Sequence, residues 1–207
     1  MKFSIIMPSL LSDYPGAAPN RTSKLIRAIT SVTLQSYPDW ELIVVSDGCD
    51  LTSFTVRSTF SHWSKVNLYQ IERSELWSNN ARNKGLEMAQ GEWILYLDSD
   101  DQFGNRHLSK VLEGITKDDS WVWWNDLAWM GHQFVKREVT PGVYGECGTS
   151  TIAHRRDLNL RWKETGYGHD FHFINQLLPL KGHKIEMPEY YVCHIGPFNY
   201  PLSINPI

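Results

Sequence analysis

One short stretch of this 207-residue chain joins an apolar run of strand length to a cluster of acidic residues. Residues Trp93 to Leu97 are apolar, and Asp98, Asp100 and Asp101 follow directly. Like charges this close repel one another, so carboxylates at the end of a buried strand need a stabilising partner. Mg²⁺ and similar ions are usually held by one or two carboxylates together with substrate phosphates and water. The stretch predicts a metal–phosphate site, with an acidic turn that caps a following helix as the alternative.

The bulk composition narrows the classes of protein to consider. At 42% hydrophobic and 21% charged residues, the chain has the composition of an ordinary globular protein. Its length suits one large α/β domain or two small ones. A net charge of −3 argues against a general binder of nucleic acid or of membrane surfaces. We therefore expect no nucleic-acid partner.

Cysteine usage and the apolar runs indicate a compartment. The three cysteines, Cys49, Cys147 and Cys193, are far apart, which fits a reducing compartment better than a disulfide scaffold. No apolar run approaches the ~20 residues of a membrane span. The apolar start of the chain ends at Pro8, too early for a signal peptide. We expect a cytoplasmic protein without a membrane span.

Strand-length apolar runs alternate with amphipathic segments of helix length. We predict strands over Phe3–Met7, Leu42–Val45, Val66–Ile71 and Trp93–Leu97, and helices over Lys24–Gln35 and Ser78–Ala89. This alternation is typical of an α/β protein with a mainly parallel sheet and crossover helices. Ligands of such sheets bind beyond the carboxyl ends of the strands. Both Asp47 and the acidic stretch fall at such ends.

The rest of the chain is less regular. Residues Leu11–Thr22 have no periodicity and predict a long loop, and a short helix is expected over Asp170–Leu178. The segment Trp121–Trp124 predicts a strand with large core side chains, and a stacking platform for a sugar or base is the alternative. Because no linker or repeat interrupts the chain, we expect residues 1–207 to form one domain.

Several short motifs follow one another in order over the first half of the chain. They are Ser4–Ser9, Arg27–Val32, Gln35–Val45, Asp47-Gly48, Ala81–Leu86, Ala89–Ile94 and Leu97–Asp101. In this order they resemble the start of the family 2 glycosyltransferases. The resemblance implies the GT-A fold, a Rossmann-like, mainly parallel sheet flanked by helices. It also implies a nucleotide-sugar-binding half, residues 1–101, and an acceptor-binding half, residues 102–207.

The resemblance implies an activity as well. Family members move a sugar from a nucleoside-diphosphate sugar, here a UDP- or GDP-sugar, to a glycan, lipid or small-molecule acceptor, usually with inversion. A bound Mn²⁺ or Mg²⁺ would neutralise the charge growing on the leaving diphosphate. Processive members carry membrane helices and a Gln-x-x-Arg-Trp motif, and Arg161-Trp162 lacks the preceding Gln. Non-processive transfer is therefore expected.

The resemblance assigns the acidic stretch to the donor and its metal. Asp100 is the expected direct metal ligand. Asp98 and Ser99 are expected to contact the substrate, and Asp98 and Asp101 to contact ribose, sugar or metal-bound water. His194 is expected to complete the metal shell, which would favour Mn²⁺ because imidazole suits transition metals. A structural role for His194 is the alternative.

Four further residues are assigned to the donor by the same resemblance. Pro8 and Ser9 match the turn that cradles the nucleoside, and Arg82 matches a basic residue near the pyrophosphate. An ordinary surface arginine is the alternative for Arg82. Asp47 matches the acid that accepts a hydrogen bond from the base. The family usually has two adjacent acids there, whereas this chain has Ser46 before Asp47.

An inverting transfer needs a general base that takes the proton of the acceptor hydroxyl. By the resemblance, Asp170 is that base, and His169 stands where the family commonly has Glu. Two alternatives remain open. His169 could itself be the base, since histidines titrate in a suitable range, or Asp170 could be only a helix N-cap.

Two other functions fit parts of the pattern. A nucleotidyltransferase also uses an α/β sheet, two acids and a metal, but it would normally carry a Gly-rich basic loop after the first strand. The segment Ser9–Thr22 has one Gly and a single basic residue, Arg21. A non-catalytic nucleotide-sugar-binding module is the third hypothesis, suggested by His169.

Overall fold

The computed structural model describes residues 1–14, 17–74, 78–163, 166, 168–186, 188–195 and 198–199, the last four strand residues (194, 195, 198 and 199) by their backbone alone. The α-helices within these residues are α1 (Arg21–Thr33), α2 (Asp50–Phe60), α3 (Asn79–Met88), α4 (His107–Gly114) and α5 (His169–Ile174). The strands are β1 (Phe3–Ser9), β2 (Trp40–Asp47), β3 (Val66–Ile71), β4 (Trp93–Tyr96), β5 (Gln102–Phe103), β6 (Trp121–Trp123), β7 (Asp126–Trp129), β8 (Phe134–Arg137), β9 (Ile152–Arg155), β10 (Gly182–Lys184), β11 (Tyr190–Val192), β12 (His194–Ile195) and β13 (Phe198–Asn199).

A seven-stranded sheet in the order β10-β6-β9-β4-β1-β2-β3 forms the centre of the molecule. Strand β1 pairs in parallel with β2 and β4, and β2 pairs in parallel with β3. Strand β9 is antiparallel to both of its neighbours, β4 and β6. The predicted mainly parallel sheet is confirmed, with one antiparallel strand that the sequence pattern did not indicate.

The central strands are apolar along their whole length because helices cover both faces of the sheet. All seven residues of β1 and all eight of β2 are buried, as expected for parallel strands under crossover helices. Ile29 of α1 packs in the core on one face, and Ala81 of α3 packs with Ile6 on the other. Gly85 allows α3 to approach closely, since a Cβ there would lie 2.4 Å from Cγ2 of Ile6.

A second sheet in the order β5-β11-β7-β8 lies in the later part of the chain. The indoles of Trp121 and Trp124 are buried, 3% and 0% exposed, which favours the core interpretation of that tryptophan-rich segment. The helix predicted to reach Leu178 ends four residues earlier, at Ile174. Tighter turns follow it, with the amide of Leu177 donating to the carbonyl of Ile174 and that of Leu180 to Leu177.

None of the helices in the described ranges combines the length and the hydrophobicity that a bilayer crossing requires.

Candidate active site

One cavity of about 550 Å³ opens at the carboxyl ends of the parallel strands β4, β1, β2 and β3. Its walls contain eight of the residues predicted from the sequence: Pro8, Ser9, Asp47, Arg82, Asp98, Ser99, Asp100 and Asp170. The side chain of the ninth, His194, lies outside the described part of the structure. The other lining residues are Leu10, Tyr14, Ala18, Arg21, Arg73, Ser74, Ser78 and His169.

Asp47 ends β2 at one side of the cavity. It is 5% exposed, and its Oδ1 accepts a hydrogen bond of 2.7 Å from the amide of Ser74. Burial raises the pKa of the Asp47 carboxyl, against the opposing effects of this amide and of the Arg73 charge. The backbone at Arg73 packs closely against Gly48. Only glycine suits this position, because its φ is +58° and a Cβ there would lie 2.5 Å from the Arg73 backbone.

Ser46, which precedes Asp47 in the chain, is not among the residues that line the cavity. It is fully buried, and its Oγ donates to the carbonyl of Cys49 at 2.7 Å. The hydroxyl therefore closes the turn between β2 and α2. Of these two neighbouring residues, Asp47 lines the cavity and Ser46 does not.

Arg82 connects three parts of the site from the first turn of α3. Its Nη2 donates to Oδ1 of Asp98 at 3.0 Å, and its Nη1 lies 3.3 Å from Nε2 of His169. The guanidinium also stacks 4.7 Å from the centre of the Trp162 ring. The alternative of an ordinary surface arginine is wrong, since Arg82 is only 4% exposed.

Asp98, Ser99 and Asp100 line the floor of the cavity after β4. Enclosure and the neighbouring Asp100 charge raise the pKa of the Asp98 carboxyl, and the Arg82 charge opposes this rise. From α1, Nη2 of Arg27 donates to the carbonyl of Asp100 at 2.8 Å. The capping alternative for this stretch is wrong, because the next helix begins only at His107 and has no side-chain cap.

Asp101 points into the protein interior and not into the cavity. It is 5% exposed, and it accepts hydrogen bonds from the hydroxyl of Tyr190 and from the amide of Cys193, the latter at 2.8 Å. Burial, with the nearby charges of Asp100 and Asp98, raises the pKa of this carboxyl well above its usual range. The prediction that Asp101 contacts substrate or metal-bound water is therefore wrong.

Asp170 reaches the cavity from the first turn of α5. Its Oδ1 lies 3.0 Å from Nε2 of His169 and 3.4 Å from Oγ1 of Thr149. Burial favours a higher pKa for Asp170, but the contact with His169 and the Arg82 charge outweigh it, so the pKa is lowered. The N-cap alternative is wrong, since Gly168 holds the cap position.

Two arginines of the cavity were not predicted to belong to the site. Arg73 follows β3, and Arg21 opens α1. Arg21 also braces the segment after β1, donating to the carbonyls of Leu10 at 2.8 Å and Leu11 at 3.0 Å. With Arg82 they place three guanidinium groups around one cavity.

The oxygens of Asp98 and Asp100 are the groups that could hold a metal. Within the described ranges, no three His, Cys, Asp or Glu side chains are arranged as a metal cage. A pair of carboxylates still fits Mg²⁺ or Mn²⁺, because such hard ions commonly take one or two protein carboxylates and complete their shell with phosphates and water.

Comparison with known proteins decides the family. The sequence profile of glycosyl transferase family 2 matches residues 17–175, most of the chain. The chain belongs to this family. Among curated proteins, it is 26% identical over 179 residues to the amylovoran biosynthesis glycosyltransferase AmsB of Erwinia amylovora, covering 76% of this chain and 56% of AmsB. The chain thus spans little more than half the length of that relative.

Solved structures share the fold. Staphylococcus aureus TarS 1-349 in complex with UDP-GlcNAc superimposes with a TM-score of 0.74 at 19% identity, over 100% of this chain and 62% of that one. The mannosyltransferase PcManGT from Pyrobaculum calidifontis, in complex with GDP-Man and Mn²⁺, has a TM-score of 0.69 at 16% identity, over 95% of this chain and 58% of the other. The predicted GT-A fold is confirmed.

Proposed function

We propose that this family 2 protein transfers a sugar from a UDP- or GDP-sugar to an acceptor hydroxyl, with a divalent metal, inversion and no processivity. The main observation in support is that five residues line one cavity. They are Asp47, Arg82, Asp98 and Asp100 from residues 1–101 and Asp170 from residues 102–207. Residues 1–101 and 102–207 would then be the donor and acceptor halves of one domain. The nucleotide sugars bound in the TarS and PcManGT structures support this class of donor.

The charges around the cavity support binding of a nucleoside diphosphate. Asp47 can accept a hydrogen bond from a ring N–H of the base, and Pro8 and Ser9 lie at the adjacent strand end, where the nucleoside would sit. Arg73 and Arg82 offer donors to phosphate oxygens, and Arg21, whose Nη1 and Nη2 already donate to the carbonyls of Leu10 and Leu11, contributes positive charge.

The same charges support a metal requirement. Four aspartates oppose the three arginines around the cavity, so an anionic diphosphate would enter a site without surplus positive charge. Asp98 and Asp100 are the residues proposed to hold Mn²⁺ or Mg²⁺, with Ser99 between them and His194 as a further proposed ligand. When bound, the metal would neutralise charge that develops on the departing diphosphate.

Asp170 is proposed as the general base. Its lowered pKa keeps it ionised at neutral pH, so it can accept the proton of an acceptor hydroxyl. As the acceptor oxygen bonds to the anomeric carbon, the bond from that carbon to the diphosphate oxygen breaks on the opposite face. The electron pair of the broken bond leaves with the nucleoside diphosphate, and the proton stays on Asp170.

Product analysis tests this proposal. The purified protein is incubated with UDP- and GDP-sugars, with and without Mn²⁺, and the released nucleotide is identified. Metal-dependent release of a nucleoside diphosphate that is lost in Asp100→Asn would support the proposal. Release of pyrophosphate would indicate a nucleotidyltransferase. Tight donor binding without hydrolysis or transfer to any acceptor would indicate a binding module.

A further inference from the structure

An exposed aromatic ring packs against two residues that are close to Asp170 in the chain. The side chain of Tyr144 is 57% exposed, and its ring stands edge-on to Phe171 with 5.6 Å between ring centres. The ring also lies against Gly168, where an added Cβ would come within 2.9 Å of Cε2 of Tyr144. Gly168 and Phe171 lie on either side of Asp170 in the chain, so the ring is held against the start of α5, the helix that carries the proposed base, just outside the residues that line the cavity.

The segment that carries Tyr144 reaches the same carboxylate. Oγ1 of Thr149, five residues later, lies 3.4 Å from Oδ1 of Asp170. Between them, apart from chain neighbours, no described atom comes within 4 Å of a Cβ built at Gly145 or Gly148. Among the residues that the structure describes, none fills the space beside these two glycines.

Two apolar side chains near Tyr144 are also exposed. Val143 and Leu178 are each 43% exposed, and Leu178 lies against the backbone at Gly142. Single exposed apolar residues are normal on protein surfaces, so these side chains could have no role in binding. A group of them beside a polar site is more typical of ligand binding, because binding sites combine apolar and aromatic walls with a few polar groups.

We propose that Tyr144 is the platform of an acceptor subsite and stacks against a pyranose ring of a glycan acceptor. This inference rests on the proposed function. The C–H groups on one face of a pyranose are weakly positive and complement the negative face of an aromatic ring. Exposed polar residues, Glu146 and His172, lie among the apolar ones. Such a mixed surface suits a sugar with hydroxyls at its edge better than an extended hydrocarbon chain.

Saturation-transfer NMR with simple probes tests this subsite. Methyl β-glucoside, methyl β-galactoside and methyl N-acetyl-β-glucosaminide are each offered to the full chain with UDP or GDP and diamagnetic Mg²⁺ present, and geranyl phosphate represents a lipid acceptor. Tyr144→Ala should weaken binding of the preferred glycoside by about three- to tenfold, as for other aromatic contacts. Tyr144→Phe should retain it. Phe54→Ala, at an aromatic residue of α2 that is 69% exposed, is the matched control.

The outcomes separate this inference from the proposed function. Binding of UDP and of GDP is measured separately by thermal shift with Mn²⁺, and failure of the wild-type protein to bind either nucleotide would contradict the proposed function itself. If a nucleotide binds, three results would overturn the subsite alone. They are equal glycoside signals from wild type and Tyr144→Ala, no signal from any glycoside, and saturation of geranyl phosphate only.

Discussion

The hydroxyl of Tyr190 donates a hydrogen bond to the buried carboxylate of Asp101, and this bond joins the acidic loop to strand β11. The other Asp101 oxygen accepts from the amide of Cys193, one residue before His194. Asp101 thus has a structural role next to Asp100. Its two hydrogen bonds hold β11 and the residue that follows it, Cys193, against the acidic loop that lines the cavity.

Asp101→Ala is expected to destabilise the fold. It would leave the Tyr190 hydroxyl and the Cys193 amide buried without their acceptor, at a cost of about 1–3 kcal/mol for each unsatisfied group. Urea unfolding would measure the change. Asp118→Ala, at an exposed residue paired with exposed Lys181, is the control and should change stability by no more than about 1 kcal/mol. Equal effects of both substitutions would contradict the structural role.

Asp170→Asn is expected to lower kcat by about 10²–10⁴-fold, the usual contribution of a positioned general base. The apparent affinity for the donor should change little, because the substitution keeps the shape of the side chain. Steady-state kinetics with a nucleotide sugar and an active acceptor would measure both quantities.

The pH profile distinguishes Asp170 from His169 as the base. Because the pKa of Asp170 is lowered, its protonation should reduce the rate only in acid, below the ordinary aspartate range near pH 4. A histidine base would instead lose activity as the pH falls through about 6 to 7. If Asp170 is the base, the activity of the wild-type protein should not fall between pH 7 and about 6, and His169→Gln should not change the shape of the pH profile there. Such a loss in wild type, abolished by the substitution, would assign the proton transfer to His169.

Arg82→Lys is expected to weaken donor binding by about tenfold. A lysine cannot bond Asp98 while stacking flat on Trp162 and reaching a phosphate, as the planar guanidinium can. Titration calorimetry with the preferred nucleoside diphosphate would measure the change. Arg155→Lys is the matched control, because Arg155 also pairs with an aspartate, Asp157, but at an exposed position. Comparable losses in both variants would contradict the assignment.

Gly48→Ala is expected to cost about 1–3 kcal/mol of stability and to impair donor binding. Gly48 has a φ of +58°, and a Cβ would collide with the Arg73 backbone, which carries part of the cavity wall. Gly145→Ala separates the two causes, since Gly145 also has a positive φ, +81°, but no described neighbour within 4 Å. A larger loss for Gly48→Ala, measured by urea unfolding, would reflect the crowding. Equal losses would show that backbone conformation alone matters.

One side of the cavity was predictable because its residues follow local signals. Asp47, Asp98 and Asp100 come directly after apolar runs, and strand ends of a parallel sheet meet at one edge. Arg73 and Arg21 gave no such signal. They reach the cavity only because β3 and α1 pack beside β2 and β1, which a single stretch of sequence does not reveal.

Several elements of the fold escaped prediction, and helix α2 and strand β9 show two different physical reasons. Helix α2 has no clear apolar periodicity, since Thr52, Ser53 and Thr55 form much of its buried face. Strand β9 is only four residues long and is inserted antiparallel between β4 and β6. Its place depends on pairing between distant segments and has no local signature.

The direction of Asp101 could not be read from its spacing either. Asp98 and Asp100 share the cavity, and the neighbouring Asp101 turns to Tyr190, a residue 89 positions away. The acidic cluster therefore divides into two carboxylates for the site and one for the fold.

Titration calorimetry of UDP and GDP into the wild-type protein, with and without Mn²⁺, tests the central claim most directly. We predict that one of them binds, that Mn²⁺ strengthens its binding by about tenfold or more, and that Asp100→Asn removes the metal effect. Binding of neither nucleotide, or an affinity unchanged by both Mn²⁺ and Asp100→Asn, would contradict a metal-dependent nucleotide-sugar site in this cavity.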